Sequence, residues 1–231
     1  MNFGRVYSNC FLWALGAALL GGCANSPAPF DEAASYRHFG EIKGTLTHGR
    51  YVSPDANFSC AIPELADPGA AIKDVSGKSG QGRSGTVTFQ DDLGTLLRVD
   101  WLEIAEIDRP KIADPGFDRA AEESFSLLMF TQYQQVSRSA SLVAHEYLPA
   151  PGEEKLFVAS LLPGGSTLVE KRTGQRLDAY RASLFLRHGN WVYCLSTQST
   201  IHPPNAAPAL AATLAQLKQR LLVFQGSMLF P

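Results

Sequence analysis

The stretch RLDAYRASLFLRHGNWVYCLST, residues 176–197, decides the fold. In its first half Ala182, Leu184 and Leu186 alternate with Arg181, Ser183 and Arg187, which is the period-two pattern of a half-buried strand. The second half, Asn190–Thr197, is strand-like again, with Val192 and Cys194 on one face. Only His188-Gly189-Asn190 joins the two runs, so they read as a hairpin, and a hairpin makes its strands antiparallel. Directly downstream, Leu210, Leu214, Leu217 and Leu221 fall at helical spacing within an expected helix from Asn205 to Phe224. Such a one-sided apolar stripe needs a sheet face to bury it.

The pattern continues upstream. Lys43–Val52 and Phe58–Ile62 flank the turn residues Ser53-Pro54-Asp55-Ala56-Asn57, which predicts a second hairpin. Glu64–Ser84, rich in Gly, Ser, Asp and Pro, predicts a long loop. Val87 and Phe89, then Leu97, Val99 and Trp101, alternate with polar residues on either side of Asp91-Asp92-Leu93-Gly94, which predicts a third hairpin. Asp114-Pro115 is a start signal for a helix running to about Val136, with Ala121, Phe125, Leu128 and Gln132 on one stripe. Strands are expected at Ser141–Leu148 and Lys155–Leu162, with a short one at Thr167–Lys171 beyond a turn at Pro163-Gly164-Gly165-Ser166. Eight or nine strands linked by hairpins, with two amphipathic helices, specify an α+β domain over 41–231 built on an antiparallel sheet.

This layout resembles the PsbP-like fold, an antiparallel sheet sandwiched by helices. The resemblance is carried by the Tyr51–Pro63 hairpin, the Ala179–Thr197 hairpin and the leucine helix after it. It implies membership of a group that includes photosystem accessory proteins and bacterial lipoproteins of unknown role, whose members generally bind or scaffold.

The N-terminus has a different character. Residues 1–10 carry one charge, Arg5, and FLWALGAALLGG at 11–22 carries none. A membrane span needs roughly 20 apolar residues, so this shorter run reads as a secretory signal. It ends in Leu20-Gly21-Gly22-Cys23, which resembles the lipobox of bacterial lipoproteins. That resemblance implies cleavage between Gly22 and Cys23, diacylglycerol on the Cys23 thiol, and anchoring to a membrane through the lipid. The alternatives are an ordinary signal cut near Gly22 or Ala24, and an uncleaved anchor. The same resemblance implies that Ala24 after the cysteine, in place of Asp, favours the outer membrane over the inner one. Residues 23–40 then form a lipidated N-terminus and tether, and the mature chain has 209 residues and a charge of −3.

Two cysteines remain in the domain, Cys60 and Cys194, each on the apolar face of an expected strand. In an oxidising compartment they are either a disulfide or two separate buried thiols. A bridge requires their Cα atoms to lie within about 7 Å.

Composition excludes some functions. Lys+Arg number 20 against 22 Asp+Glu, so no basic field attracts nucleic acid. Gly80-Gln81-Gly82-Arg83-Ser84-Gly85 spells G-x-G-x-x-G but stands between a loop and a Thr/Val-rich strand, where a dinucleotide site needs a strand and then a helix. Gly77-Lys78-Ser79 lacks the earlier glycine of a phosphate loop, because Ile72 stands there. The histidines at 38, 48, 145, 188 and 202 have no metal-ligand spacing, and His145-Glu146 is followed by Pro149 where a zinc protease needs its second histidine. No cofactor, metal or catalytic motif is present, and Lys171, Arg172 and Arg176 read as a solvated turn. Trp101 and Trp191 read as sheet packing. The expectation is a lipid-anchored, periplasm-facing envelope protein that binds or scaffolds, with an envelope protein as partner. The alternatives are an envelope hydrolase with a composite site, which needs a pocket gathering histidines and carboxylates, and a carrier of small apolar ligands.

Overall fold

The computed structural model describes residues 36–37, 39–64, 71–79, 82–92, 94–114, 116–149, 154–201 and 210–231. The signal at 1–22, Cys23, most of the tether, His38 and His202 lie outside them. The architecture is α+β. Seven antiparallel strands form one sheet in the order β4 (Ala71–Ser79), β5 (Gly82–Gln90), β6 (Leu96–Glu103), β10 (Trp191–Ile201), β9 (Asp178–His188), β8 (Lys155–Leu162) and β7 (Ser141–Leu148). A three-stranded sheet holds β1 (Thr45–Thr47), β2 (Arg50–Val52) and β3 (Ser59–Ala61). A 3-10 helix spans Glu106–Ala113, and two α-helices follow, α1 (Phe117–Val136) and α2 (Leu210–Gly226).

The deciding hairpin sits where the sheet needs it most. β9 and β10 pair over their whole length, with His188 opposite Trp191 and Asp178 opposite Ile201. Gly189 takes φ 56° in the tight turn, a conformation glycine adopts without a Cβ penalty. Alternation then splits the sheet's side chains between two cores. On one face Ala182, Leu184, Leu186, Tyr193 and Leu195 meet Leu217, Leu221 and Phe224 of α2 and Tyr51, Phe58 and Cys60 of the small sheet. On the other face Phe185, Val192 and Cys194 meet Phe125, Met129 and Tyr133 of α1. Phe58 joins the two sheets, its ring 5.2 Å from Trp101 and 5.7 Å from Tyr193, and a fully buried ring of this size contributes about 1.5–3 kcal/mol.

Several expectations are corrected. Lys43–Val52 is itself a hairpin, β1 with β2, because His48 and Gly49 take φ 50° and 70°. Two consecutive left-handed residues are what a two-residue hairpin turn uses. The long loop expected at Glu64–Ser84 contains β4 and the start of β5, paired from Ala71 opposite Gln90 to Ser79 opposite Gly82. The strand expected at Thr167–Lys171 is reduced to a single bridge between Val169 and Arg176. The first helix starts later than Asp114-Pro115: Gly116 precedes it at φ 84°, and Asp114 contributes its backbone carbonyl to the Phe117 N–H. Its buried stripe is Glu122, Phe125, Met129 and Tyr133, so Leu128 is exposed. In α2 the buried residues are Thr213, Leu217, Leu221 and Phe224, with Leu210 exposed at the start.

The two outer edges of the large sheet are treated differently. Along β4, the Ile72 N–H donates to the Arg37 carbonyl (2.7 Å), and the Phe39 N–H donates to the Ile72 carbonyl (2.9 Å). Farther along, the Asp74 carboxylate accepts the Lys43 N–H, the Gly44 N–H and the Tyr51 hydroxyl at 2.9, 2.7 and 2.8 Å. The chain leading into β1 thus covers that edge. β7, at the other end, pairs with β8 alone among the described residues.

Candidate functional site

Beside β7 the sheet and α1 leave a groove of about 400 Å³. α1 packs over β8, β9 and β10, which leaves the space above β7 open. Leu127 and Phe130 of α1 and Leu142 and Val158 of the sheet give it an apolar lining. Leu127 is 67% exposed and Leu142 49%, so both present apolar surface to solvent along the groove. Alternation decides which β7 side chains face the groove: Leu142, His145 and Tyr147 pair with Ser160, Val158 and Leu156 on the α1 side.

One end of the groove carries a polar group of four. The Glu123 carboxylate accepts the Tyr147 hydroxyl at 2.9 Å and lies 3.1 Å from His145 Nε2, while the Arg119 guanidinium stacks 4.0 Å from the centre of the Tyr147 ring. Burial alone would raise the Glu123 carboxyl, but donors from His145 and Tyr147 and the nearby Arg119 charge hold it below the ordinary carboxylate range. Burial, then the bond to Glu123, pushes the Tyr147 hydroxyl up to about 12, so it stays protonated and donates. This is a fixed hydrogen-bonding surface at the mouth of an apolar channel. It brings one histidine and one hydrogen-bonded carboxylate together.

Two other polar assemblies are structural. Under α1, the Tyr133 hydroxyl lies 3.0 Å from Ser183 Oγ and 3.3 Å from Ser196 Oγ, and Cys194 Sγ lies 3.3 Å from Ser196 Oγ. Burial raises the Tyr133 hydroxyl and pushes the Cys194 thiol up to about 12, the opposite of what a nucleophile needs. At the far end of β5 and β6, Arg83 binds Glu103 through Nε (3.1 Å) and Nη2 (3.0 Å) and reaches Asp55 at 3.3 Å. Arg109 donates to Glu103 at 2.8 Å, so the two cations face two carboxylates, while the buried Arg109 Nε has no hydrogen-bond partner.

The candidate disulfide is not formed. Cys60 and Cys194 are free thiols, and they belong to different cores on opposite faces of the large sheet. Burial pushes Cys60 up to about 12 as well. Gly85, the last residue of the G-x-G-x-x-G spelling, is in β5 opposite Trp101. A Cβ there would fall 2.2 Å from the indole, so the glycine makes room for Trp101; Gly80 and Gln81 lie outside the described residues. Arg172 and Arg176 stand at an exposed turn, as does Lys171. His48 is in the β1–β2 turn and His188 stacks on Phe230 with centroids 4.5 Å apart, so neither joins His145. Trp101 is buried against Phe58, and Trp191 lies under Arg83 at 4.9 Å. Among the described residues, no group of three or more His, Cys, Asp or Glu could hold a metal ion, and no helix is long and apolar enough to cross a membrane.

No family model matches the chain, and no curated protein matches it. Among solved structures it is similar to cyanobacterial PsbP (CyanoP) from Synechocystis, at 13% identity and a TM-score of 0.43, over 84% of this chain and 99% of that one. A protein from Bacteroides thetaiotaomicron aligns at 13% identity and a TM-score of 0.35, over 80% of this chain and 49% of that one. A protein of unknown function from Pseudomonas aeruginosa aligns at 12% identity and a TM-score of 0.32, over 83% of this chain and 98% of that one.

Proposed function

We propose that the chain is a lipid-anchored protein of the cell envelope whose domain, PsbP-like in layout, faces the periplasm and binds a partner in the α1–β7 groove without catalysing a reaction. The observation that carries the binding role is the groove itself: apolar side chains left open beside a strand that, among the described residues, has one neighbour. The groups that would have to react argue the same way. Both domain thiols are sealed and held protonated, and the groove gathers a single histidine with a carboxylate already engaged by two donors. The Leu20–Cys23 lipobox supports the anchor, and Ala24 favours the outer membrane.

Two measurements test this. Mass spectrometry of the mature protein is expected to find a diacylglycerol-modified Cys23 at the N-terminus, with Cys23→Ser released as soluble protein; an unmodified N-terminus elsewhere removes the anchor. A photo-crosslinking amino acid at Leu127, activated in intact envelopes, is expected to give a discrete protein adduct that Leu142→Glu abolishes. Adducts to lipid alone, or none, remove the protein-binding role.

A further inference from the structure

We propose that the end of the domain at which the tether enters faces the membrane, with the turn Val169–Arg176 and the neighbouring Arg138 seated on the phosphates of an anionic phospholipid bilayer. This rests on the lipid anchor proposed above and specifies how the domain sits on the surface that the anchor reaches.

A chain of contacts builds this end. Arg37 and Phe39 bond Ile72 at the start of β4, and Arg37 pairs with Asp92 of the β5–β6 turn at 2.9 Å. Gly94 of the same turn lies against Leu168, whose side chain would come within 2.7 Å of a Cβ there. Leu168 leads into the turn, which is braced by the Val169–Arg176 bridge. Within it the Glu170 N–H donates to the Gln175 carbonyl and the Gly174 N–H to the Glu170 carbonyl, both at 2.8 Å. On the α1 side Ser137 Oγ donates to the Pro163 carbonyl at 2.8 Å, which sets Arg138 at the base of the turn. Only residues 24–35 separate Cys23 from Tyr36, so the lipid lies at most about 45 Å of chain from this end. β9 and β10 run 11 residues away from it, about 36 Å, so seating the far end on the bilayer would take nearly the whole contour of the tether.

Charge then selects the surface. At this end Arg37 and Asp92 pair, and Arg172 faces Glu170 at 3.9 Å. Asp178 accepts the Gly164 N–H at 2.8 Å, and the buried Asp91 accepts the Thr95 N–H at 2.7 Å. Arg138, Lys171 and Arg176 are exposed and, among the described residues, have no carboxylate partner, while the part-buried Arg181 bonds the Gln198 amide. Four cations without a carboxylate thus stand against two carboxylates that backbone N–H groups already engage; Asp31, Glu32 and Asp67 lie outside the described residues. Toward the far end Arg83, Arg109, Lys111, Arg119 and Arg187 each bind a carboxylate, and Lys155 binds Gln225. Apolar side chains accompany the free cations: Phe39, Val136 and Val169 are each more than half exposed. Lysine and arginine interspersed with apolar side chains suit the boundary between lipid phosphates and acyl chains, where the stems lie with the lipid and the charges reach the headgroups. A single free phosphate would need these cations to converge, whereas they project from two separate segments.

The test begins with the soluble protein that Cys23→Ser releases. It is expected to sediment with vesicles of phosphatidylglycerol and phosphatidylcholine in equal parts, to come off as salt is added, and to ignore phosphatidylcholine alone. Arg138→Gln, Lys171→Gln and Arg176→Gln should each weaken binding about fivefold, and Lys111→Gln at the far end should not. All four positions are exposed, and circular dichroism checks that the fold is kept. In the lipidated protein, reconstituted in the same vesicles, a spin label on Val169→Cys is expected to relax with oxygen dissolved in the lipid, and one on Ile107→Cys with a water-soluble nickel complex. The proposal is overturned if binding ignores lipid charge or all three variants, if both labels stay in water, or if only the label at 107 meets lipid. It is equally overturned if inorganic phosphate alone shifts the resonances of residues 169–176 and displaces the protein at matched ionic strength, or if Lys171→Gln disperses a dimer formed without lipid. If mass spectrometry finds no lipid on Cys23 while the released protein still binds anionic vesicles through these cations, the anchor fails and the surface stands. If the lipid is found and the label at 169 stays in water, only the surface fails.

Discussion

The large sheet has two edges, and among the described residues only one of them is covered. At β4 the incoming chain lies along the strand, and Asp74 gathers two backbone N–H groups and a buried tyrosine hydroxyl. At β7 the strand is nearly as long, yet among the described residues its protection is a bulge and the charged side chain of Glu146. Exposed strand edges invite pairing, and folded proteins normally cover, shorten or charge them. The contrast teaches that covering an edge is a choice made by local sequence: Gly44, Asp74 and Tyr51 are spent on one edge, and an apolar groove is left at the other.

The largest expected effect tests whether the β4 cover holds the fold. Asp74→Ala removes three hydrogen bonds from one carboxylate and strands the Tyr51 hydroxyl in the core. Urea unfolding should show a loss of about 3–5 kcal/mol, with faster amide exchange along β4. An unchanged midpoint would make the two edges equivalent. Gly44→Ala comes next: its Cβ would meet the Val52 carbonyl at 2.4 Å and the Tyr51 ring at 2.5 Å, so a loss of about 1–3 kcal/mol is expected in the same assay.

At the other edge stability should barely move. Leu142→Ser, at a half-exposed side chain, is expected to shift unfolding by no more than about 0.5 kcal/mol. A large loss there would mean that the groove wall is core, and would end its reading as a binding surface. The smallest effect is pH dependence. Glu123 is held below the ordinary range, so its bonds to His145 and Tyr147 add stability above the unfolded-state value of about 4.3, and that stability is lost as pH falls through the lower folded value. The carboxylate is 41% exposed, so solvent screening keeps the contribution small. An NMR titration of the Glu123 side chain should place its midpoint below the ordinary carboxylate value, and a midpoint at or above that value would contradict the geometry.

Much of this architecture was legible because its central elements carry strong local patterns. The β9–β10 hairpin, β7, β8 and the α2 leucines announce themselves by period and turn. β4 does not: its sequence AIKDVSGKS has few strand-forming residues, and its buried Ala71 and Ile72 become a strand only through pairing with β5 and the cover from 37–44. The α1 stripe was misplaced because two stripes sharing Phe125 fit a 3.6-residue period. The choice fell to Met129 and Tyr133, with Tyr133 hydrogen-bonded to hydroxyls on β9 and β10 that only tertiary structure brings near. The groove was invisible for a related reason. Glu123, Leu127, Leu142, His145 and Val158 come from three elements, and each is ordinary alone. The available signal was the uncharged run from Ser124 to Val136, which holds more large apolar residues than one buried stripe can use.

The unbridged cysteines make the domain its own gauge of opening. Cys60 sits in the core between the sheet and α2, and Cys194 in the core beneath α1, each with its thiol sealed from reagent. An alkylating probe therefore reaches each sulfur only when its own side of the sheet parts, and the two labelling rates report two local free energies in one chain. If the halves open as a single cooperative unit, the rates converge once intrinsic thiol reactivity is taken into account; if α1 lifts first, Cys194 reacts ahead of Cys60.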